Sequence, residues 1–535
     1  MATLNTQVLV IGGGATGCGV AWDAALRGLD TVLVDRFDLA EGTSGRFHGL
    51  LHSGGRYAVK DPHAARECVA ENAILRRIAA DCIEDTGGLF VTTPFDDPEF
   101  AERFISGCRA TGVACDEIPV AEALREEPRL NPGISRAFRV LDANIDVWKT
   151  VWALAHGARA HGARILTYHE VVAIHRQGER VTGARLRDVR GGGEVDIEAQ
   201  VVVNATGAWA GRVADLAGIE GVRVLPGRGI MIAMNHRLVN TVINRCAMPG
   251  DGDILVPIRT VSVIGTTDQH TDDPDDHTVP PDEVDQMLAD GEKLVPGFRQ
   301  ARALRVWTGA RPLFEDAKAA DTQTRDVTRA HAMLDHRQRD GVEGFVTITG
   351  GKLTTYRLMA EETVDAVCAQ LGVSTPCTTA QRPLPGSEDH SHYQLGERLA
   401  RKEHELVDDQ IICECELVSR RRVNAAIDQY ETQNLDDIRR QLRLGMGPCQ
   451  GGFCIYRATG LIQAAGRCSA ATADASLNAF LRERWKGIWP VLHGDQLRQA
   501  RLDDWIFQGL LDVDHLPAGE DTPLEDGESR AGSDR

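Results

Sequence analysis

The first 35 residues alternate between short apolar runs and one stretch with helical spacing. Gln7–Ile11 and Thr31–Val34 are apolar runs of strand length, and Ala15–Arg27 between them has the apolar spacing of a helix that closes at Gly28. Fully apolar runs bounded by glycine are typical of strands buried on both faces of a parallel sheet. The pattern therefore predicts one βαβ unit at the start of the chain.

Two later stretches place small and polar residues directly after apolar ones. Val201–Val203 leads through Asn204 to Gly207, and Gly350-Gly-Lys-Leu-Thr-Thr-Tyr-Arg357 precedes a helix predicted over Ala360–Leu371. A Pro-, Gly- and Ser-containing segment, 381–392, then indicates a boundary. We expect a large first domain over 1–380, a linker over 381–410, a four-cysteine domain over 411–470, a helical segment over 471–515 and a disordered acidic tail over 516–535.

The glycines between the first strand and helix follow the spacing of a dinucleotide-binding turn. Gly12 makes the turn, Gly14 allows a pyrophosphate to approach the backbone, and Gly17 allows the helix to pack close to the sheet. Asp35 ends the second strand, where an acid binds ribose hydroxyls. An ordinary glycine turn is the alternative, but the strand, helix, strand and acid all occur in register.

The cofactor is predicted to be FAD rather than NAD. The segment 42–57 is rich in Gly, Ser, His and Arg, and the turn at 204–209 offers a second cradle of small residues, unless it is an ordinary βα turn. The residues expected to contact the cofactor are Gly12, Gly14, Ala15, Thr16, Gly17, Asp35, Arg36, Ser44, Gly45, Gly49, Leu50, Val172, Gly207, Trp209, Gly351 and Thr354.

Composition narrows the class of protein further. The net charge is −19 without a long basic run, which argues against nucleic acid as a partner. Apolar runs stay far below the ~20 residues of a membrane span. The N-terminus leads directly into a strand without a basic leader, so we expect a cytoplasmic protein whose membrane contact is peripheral or through a partner. Most of the 13 cysteines are isolated, as expected for small buried residues in a reducing compartment.

Four motifs in a fixed order carry a family resemblance. Leu50–Tyr57, Ile264–Asp268, Thr308–Leu313 and Ile348–Arg357 resemble the FAD-dependent glycerol-3-phosphate dehydrogenases, and with the C-terminal cysteines the chain is similar to the A-type subunit of the anaerobic three-subunit enzyme over about 5–515. The resemblance implies an α/β fold: an FAD-binding doubly wound domain of the D-amino-acid-oxidase type with an inserted antiparallel substrate sheet, followed by a small helical four-cysteine domain.

The resemblance also implies roles for individual residues. Arg311 would hold the C2 oxygen of the substrate, and Arg56 and Lys352 are cations suited to its phosphate. Thr354 and Thr355 would cap the following helix and donate to flavin or phosphate oxygens. The full set of expected substrate-binding residues is Arg56, Tyr57, Lys352, Thr355 and Arg329.

The catalytic base is left open by the sequence. Aerobic relatives carry a histidine just after the pair that is Arg228-Gly229 here, whereas this chain continues with Ile230 and Met231. His52 is one candidate for the base, although a hydrogen-bonding role beside the flavin is an equal alternative for this residue. The other candidate for the base is Arg311 acting with a bound water.

The last cysteines form two close pairs. Cys413, Cys415, Cys449 and Cys454 are four thiols that suit either zinc or an iron–sulfur cluster, and the segment resembles the small 2Fe-2S domains of the bacterioferritin-associated ferredoxin type. Those domains usually end in CxxC, while four residues separate Cys449 from Cys454 here. A 2Fe-2S cluster is expected, with zinc or no metal as alternatives.

The resemblance implies an enzyme that oxidises sn-glycerol 3-phosphate to dihydroxyacetone phosphate and passes electrons towards the quinone pool. The resemblance implies a hetero-oligomer that includes a second flavoprotein subunit plus an iron–sulfur subunit for membrane anchoring. Alternatives are an FAD-dependent oxidase of hydroxy or amino acids, and a non-enzymatic electron-transfer module. Intact glycines at 12, 14 and 17 and the region around Lys352 count against the last.

Overall fold

The computed structural model describes residues 2–315, 330–405, 409–430, 434–492, 495–512 and 515. The chain forms two compact units, 1–400 and 401–535. The strands of the first unit are β1 (Ala2–Ile11), β2 (Thr31–Val34), β3 (Leu50–Leu51), β4 (Ile83–Glu84), β5 (Gly88–Thr92), β6 (Cys115–Ile118), β7 (Arg136–Val140), β8 (Ala143–Ile145), β9 (Arg164–Leu166), β10 (His169–Gln177), β11 (Arg180–Asp188), β12 (Glu194–Asn204), β13 (Val224–Met234), β14 (Val242–Arg245), β15 (Ile254–Ile258), β16 (Val261–Gly265), β17 (Gln269–His270), β18 (Ala303–Phe314), β19 (His331–Asp335) and β20 (Phe345–Gly350).

The helices up to the boundary between the units are α1 (Ala15–Leu26), α2 (Pro62–Ile78), α3 (Phe100–Thr111), α4 (Val120–Glu126), α5 (Val147–Ala160), α6 (Ala210–Leu216), α7 (Pro281–Leu294), α8 (His336–Arg339), α9 (Tyr356–Leu371) and α10 (Leu395–Glu405).

One sheet of the first unit is the parallel sheet that the opening residues predict. Strands β9, β2, β1, β12 and β20 lie side by side in that order and run parallel. The β10–β11 hairpin continues antiparallel from β12, and β19 pairs antiparallel with β20. Helix α1 packs against α5 and α9. This confirms the doubly wound α/β class.

A second, larger sheet is built from two insertions into this framework. Its strand order is β17-β13-β16-β15-β14-β5-β7-β6, with β18 also paired to β13. The expected antiparallel substrate sheet is therefore present, with one exception: β5 and β14 run parallel. These two strands come from different insertions, so no hairpin constrains their relative direction. Strands β3, β8 and β4 form a small separate sheet that carries Leu50.

Element limits differ from the sequence pattern where distant segments pair. Strand β1 begins at Ala2 rather than Gln7, because residues 2–6 pair with 195–199 of β12. Helix α9 begins at Tyr356 rather than Ala360. The segment 381–392 is part of the first unit: the Leu384 N–H donates to Ile78 O at 2.7 Å, and Leu384 and Ser387 are buried.

The second unit is mostly helical around its own apolar core. Its core includes Ile412, Val423, Leu435, Ile455 and Phe480, together with Cys413 and Cys454. No helix within the described residues is long and apolar enough to cross a membrane. The elements are β21 (Ile411–Cys413), β22 (Val418–Ser419), α11 (Arg420–Tyr430), α12 (Leu435–Leu442), α13 (Cys454–Ala464), α14 (Ala470–Ile488) and α15 (Asp495–Asp504), followed by a π-helical turn at Trp505–Leu510.

Candidate active site and four-cysteine site

The turn between β1 and α1 is closed so tightly that only glycine fits. Gly12 has φ +109°, and a Cβ there would lie 2.6 Å from Ala205 O. A Cβ on Gly17 would lie 1.8 Å from Gly12 O. Gly14 is the N-cap of α1 and has no side chain to cap the helix. Backbone N–H groups of the first turn and the helix dipole at this end suit a pyrophosphate, so the turn fits the diphosphate of FAD.

Two side chains support this turn. Asp35 accepts hydrogen bonds from the Gly13 N–H at 2.6 Å and from the Phe37 N–H at 2.8 Å, and burial raises the pKa of this carboxyl group to about 6. The Ser44 hydroxyl accepts from the Ala15 N–H at 3.0 Å. The sequence predicts that both residues contact the cofactor, and the structure places both beside the glycine turn.

Arg36 and Trp209 form a second cluster near the end of β2. The Arg36 guanidinium lies 4.8 Å from the centre of the Trp209 ring, and both side chains bind Asp275. Asp275 lies far from both motifs along the chain, and no local pattern in the sequence points to it. Gly207 has φ +59°, and its carbonyl accepts from the Thr349 hydroxyl at 3.0 Å.

The remaining predicted cofactor residues lie around this region of the first unit. A Cβ on Gly45 would lie 2.0 Å from Ala40 O, and one on Gly49 would lie 2.7 Å from Asn144 Nδ2. Leu50 pairs with Asn144 in the small sheet. The Thr16 hydroxyl contacts Met359 Sδ at 3.9 Å. Val172 lies at a β-bulge between β10 and β11.

The Gly350–Thr355 turn differs from its predicted capping role. Gly350 and Gly351 have φ +78° and +72°, and a Cβ on Gly351 would lie 2.5 Å from Met359 Sδ. The Thr355 hydroxyl accepts from the Lys352 N–H at 3.2 Å instead of capping α9, and Thr354 accepts from the His52 N–H at 3.1 Å. The capping expectation is wrong because both hydroxyls hold the turn itself, and Thr354 joins it to the His52 loop.

Four side chains form a continuous row across the first unit. The rings of His48 and His52 are 6.3 Å apart, and those of His52 and Tyr57 are 5.1 Å apart. The Lys352 ammonium lies 5.3 Å from the centre of the Tyr57 ring and 3.4 Å from Glu67 Oε2. The structure therefore brings together three predicted site residues from motifs about 300 positions apart along the chain, and it adds His48 to them.

The two predicted arginines are held by carboxylates. Arg56 binds Asp253 at 2.6 Å. Arg311 binds Asp268 at 3.0 Å and donates to Thr267 O at 2.8 Å. Asp268 lies in one of the quoted motifs, but its pairing with Arg311 depends on the β13–β18 and β13–β17 strand pairs. Arg329 lies outside the described residues.

His48 is the functional candidate that sequence reasoning missed. It is 9% exposed, and its pKa is lowered to about 3, first by burial and then by the charges of Arg56 and Arg311. The glycine- and histidine-rich segment 42–57 contains His48 and is a signal for it. The catalytic role was assigned to His52 because His52 lies in the quoted motif.

The four predicted cysteine ligands come together as two thiol pairs in the second unit. Cys413 pairs with Cys454, and Cys415 pairs with Cys449; this lowers the pKa of Cys413 and Cys449, the latter to about 6, and raises that of Cys454 and Cys415. Backbone N–H groups of Gly451 and Gly452 donate to Cys449. A Cβ on Gly447 would lie 2.3 Å from Cys415 Cβ.

This arrangement fits a binuclear cluster better than a single ion. Zinc in a structural site requires four ligands around one centre, whereas a [2Fe-2S] cluster takes two thiolates on each of two irons. Two thiol pairs with backbone N–H donors match the second requirement.

Comparisons with known proteins match the domains that carry both sites. Residues 7–365 match the family described as FAD dependent oxidoreductase, and residues 411–464 match the BFD-like [2Fe-2S] binding domain. The A subunit of the anaerobic glycerol-3-phosphate dehydrogenase of Escherichia coli K12 is 44% identical over 95% of this chain and 97% of its own length. The corresponding A1 subunit of Haloferax volcanii is 42% identical over 97% of this chain and 93% of its own. The chain belongs to the family of A-type subunits of anaerobic glycerol-3-phosphate dehydrogenases.

Membership in this family confirms the family resemblance inferred from the four motifs and the C-terminal cysteines. FAD and a [2Fe-2S] cluster are the cofactors of the two matched domains. The fold also agrees with the crystal structure of glycerol-3-phosphate dehydrogenase from Bacillus halodurans complexed with FAD, which has a TM-score of 0.64 at 21% identity and covers 92% of this chain and 96% of its own.

Proposed function

We propose that this chain oxidises sn-glycerol 3-phosphate to dihydroxyacetone phosphate. The observation that carries the proposal is the row from His48 to Lys352, which has an arginine–carboxylate pair near one end and a buried lysine at the other. A small polyol phosphate has one dianionic end and one reacting hydroxyl, and it matches such a row. The names of the 44% and 42% identical relatives support the same substrate.

The phosphate would be bound by Lys352 and Arg56. Lys352 side-chain exposure is 5%, so its charge is little screened by water, and Tyr57 covers it from one side. Charge-assisted hydrogen bonds to a phosphate are stronger than neutral ones. Glu67 and Asp253 hold the two cations in place before the substrate binds.

The reacting carbon would lie towards Arg311. FAD, when bound, accepts the hydride from C2. Arg311 stabilises negative charge that develops on the C2 oxygen, because Asp268 and Thr267 fix its guanidinium before the reaction. His52 is the candidate acceptor of the hydroxyl proton. Its backbone is anchored on both sides, since its N–H donates to Thr354 and its carbonyl accepts from Asn72 Nδ2 at 3.0 Å.

The electrons would leave through the four-cysteine unit. A flavin that takes up two electrons, in the same chain as a cluster that carries one electron at a time, suits electron transfer to partner proteins and onward to the quinone pool. The names of the relatives describe one subunit of a larger enzyme, which supports the presence of partners. The proposal includes a peripheral location on the cytoplasmic face of the membrane. A second flavoprotein subunit and an iron–sulfur anchor subunit would hold the chain there.

Product analysis with an artificial electron acceptor tests the function. Purified holoenzyme should convert glycerol 3-phosphate to dihydroxyacetone phosphate in step with dye reduction, and glycerol without phosphate should give little turnover. Rapid oxygen consumption with a hydroxy acid or amino acid, and none with glycerol 3-phosphate, would instead identify an oxidase.

A further inference from the structure

His48 occupies a rigid position beside the residues that hold Arg311. It lies between a 3₁₀ turn at Thr43–Gly45 and β3. A Cβ on Gly265 would lie 3.2 Å from His48 Cδ2 and 3.0 Å from Met231 Cγ, so the imidazole fills the space that this glycine leaves. Thr266 and Thr267, the next two residues, bind the Arg311 guanidinium. The segment 265–267 therefore contacts both His48 and Arg311 and holds them in place.

The hydrogen bonding of the imidazole fixes where its proton lies. The Leu50 N–H donates to His48 Nδ1 at 3.3 Å, so the neutral ring carries its hydrogen on Nε2. No group within the described part of the chain forms a hydrogen bond with this Nε2. A donor without a partner in the protein is available to an acceptor on a ligand.

Burial, and after it the surrounding charges, keep the His48 ring neutral by lowering its pKa. The positive charges of Arg56 and Arg311 both disfavour protonation of the His48 ring, in addition to the effect of burial. Other groups that face the ring are Phe47, at a ring distance of 5.8 Å, and His52 at 6.3 Å, and neither is a carboxylate. The ring is therefore a neutral donor at physiological pH rather than a proton acceptor.

We propose that His48 is a catalytic residue that contacts the substrate through its Nε2–H, as a neutral hydrogen-bond donor to the C2 oxygen beside Arg311. This rests on the proposed function and assigns to His48 a role different from that of His52. A neutral imidazole can stabilise charge on an alkoxide or carbonyl oxygen without itself changing protonation state. The step therefore needs a separate proton acceptor, and His48 transfers no proton in it.

The test compares two substitutions in the FAD-loaded enzyme. His48→Gln keeps an N–H donor that cannot titrate, and His48→Phe keeps a ring without a donor. Anaerobic stopped-flow reduction by glycerol 3-phosphate should be about 10²- to 10³-fold slower in His48→Phe, the usual loss for one donor to a developing oxyanion, and should be largely retained in His48→Gln. His156→Gln, at a half-buried histidine on α5 whose pKa is also lowered, is the matched control and should reduce at the wild-type rate.

Two further readouts separate this role from the alternatives. The acidic limb of the pH profile for reduction should be the same in wild type and His48→Gln; its loss would make His48 the base and overturn the proposal. Nitrogen-15 spectra of histidine-labelled wild-type protein should show the His48 ring, assigned by its absence in His48→Gln, as the neutral Nε2–H form at neutral pH. A protonated ring there, or wild-type reduction by His48→Phe, would also contradict it. Failure of wild type itself to be reduced would instead reject the proposed function.

Discussion

At the scale of single residues, the cations of the site were predictable and their partners were not. Arg56, Arg311 and Lys352 lie in motifs that local sequence shows. Glu67 and Asp253 reach two of them only through the fold, and the pairing of Asp268 with Arg311 depends on strand pairing. His48 was hidden for the same reason, since its importance depends on Gly265 and on two arginines from other segments.

Replacement of Lys352 tests the phosphate site. Lys352→Ala should lose about 1.5–3 kcal/mol of charge-assisted binding, roughly a tenfold to hundredfold loss in affinity for glycerol 3-phosphate. Flavin content should remain near wild type. Substrate titration of the flavin spectrum measures the affinity, and Lys486→Ala, at a lysine near the end of α14, is the control. Equal bleaching by glycerol and glycerol 3-phosphate in wild type would contradict the phosphate site.

Replacement of Arg311 separates binding from catalysis. Arg311→Ala should lower the maximal rate of flavin reduction far more than substrate affinity, because its interaction strengthens as charge develops on the C2 oxygen. Single-turnover stopped flow over a range of substrate concentrations measures both quantities. A defect in affinity alone, with the maximal rate intact, would reassign Arg311 to binding.

The depressed pKa of His48 predicts a pH dependence of stability. In the unfolded chain the His48 ring takes up a proton near pH 6.5, whereas in the folded chain its pKa is lowered to about 3. The contribution of His48 to the free energy of unfolding is therefore fully present above pH 6.5 and is lost as the pH falls from 6.5 towards 3. The slope is at most about 1.4 kcal/mol per pH unit. His48→Gln should therefore show a smaller drop in melting temperature than wild type between about pH 7 and about pH 5. Equal drops would show that His48 is not neutral in the folded state.

At the scale of elements, the βαβ unit was predictable because each of its signals is local. Strand length, glycine spacing and the acid after β2 all lie within 35 residues. The extension of β1 to Ala2 and the parallel β5–β14 pair depend on partners more than 100 residues away, and periodicity does not report such pairings. The antiparallel insertion itself was expected only from the family resemblance.

The glycine turn gives a prediction at this scale. Gly17→Ala should lower both FAD content and melting temperature, because the added Cβ would lie 1.8 Å from Gly12 O and push α1 away from the sheet. Gly460→Ala is the matched control. Apart from the backbone of its own helix, no described atom lies within 4 Å of a Cβ at Gly460, which is on an exposed face of α13. This change should therefore stabilise the protein by about 0.5–1 kcal/mol. Normal FAD content in Gly17→Ala would show that the turn tolerates a side chain.

At the scale of the whole molecule, two cofactor domains in one chain predict separable half-reactions. Cys449→Ser should leave flavin reduction by substrate intact and should impair electron delivery to quinone in membranes containing the partner proteins, because it removes one cluster ligand. Cys468→Ser, at a half-buried cysteine of the same unit outside the two pairs, is the control. Undiminished quinone reduction in Cys449→Ser would make the cysteine unit structural.

The central claim is that glycerol 3-phosphate delivers electrons through FAD to the cluster, and an anaerobic titration followed optically and by low-temperature EPR tests it most directly. The account predicts that glycerol 3-phosphate bleaches the flavin bands and produces the EPR signal of a reduced [2Fe-2S] cluster, while glycerol does neither. An unchanged flavin spectrum in the presence of excess glycerol 3-phosphate would contradict the account.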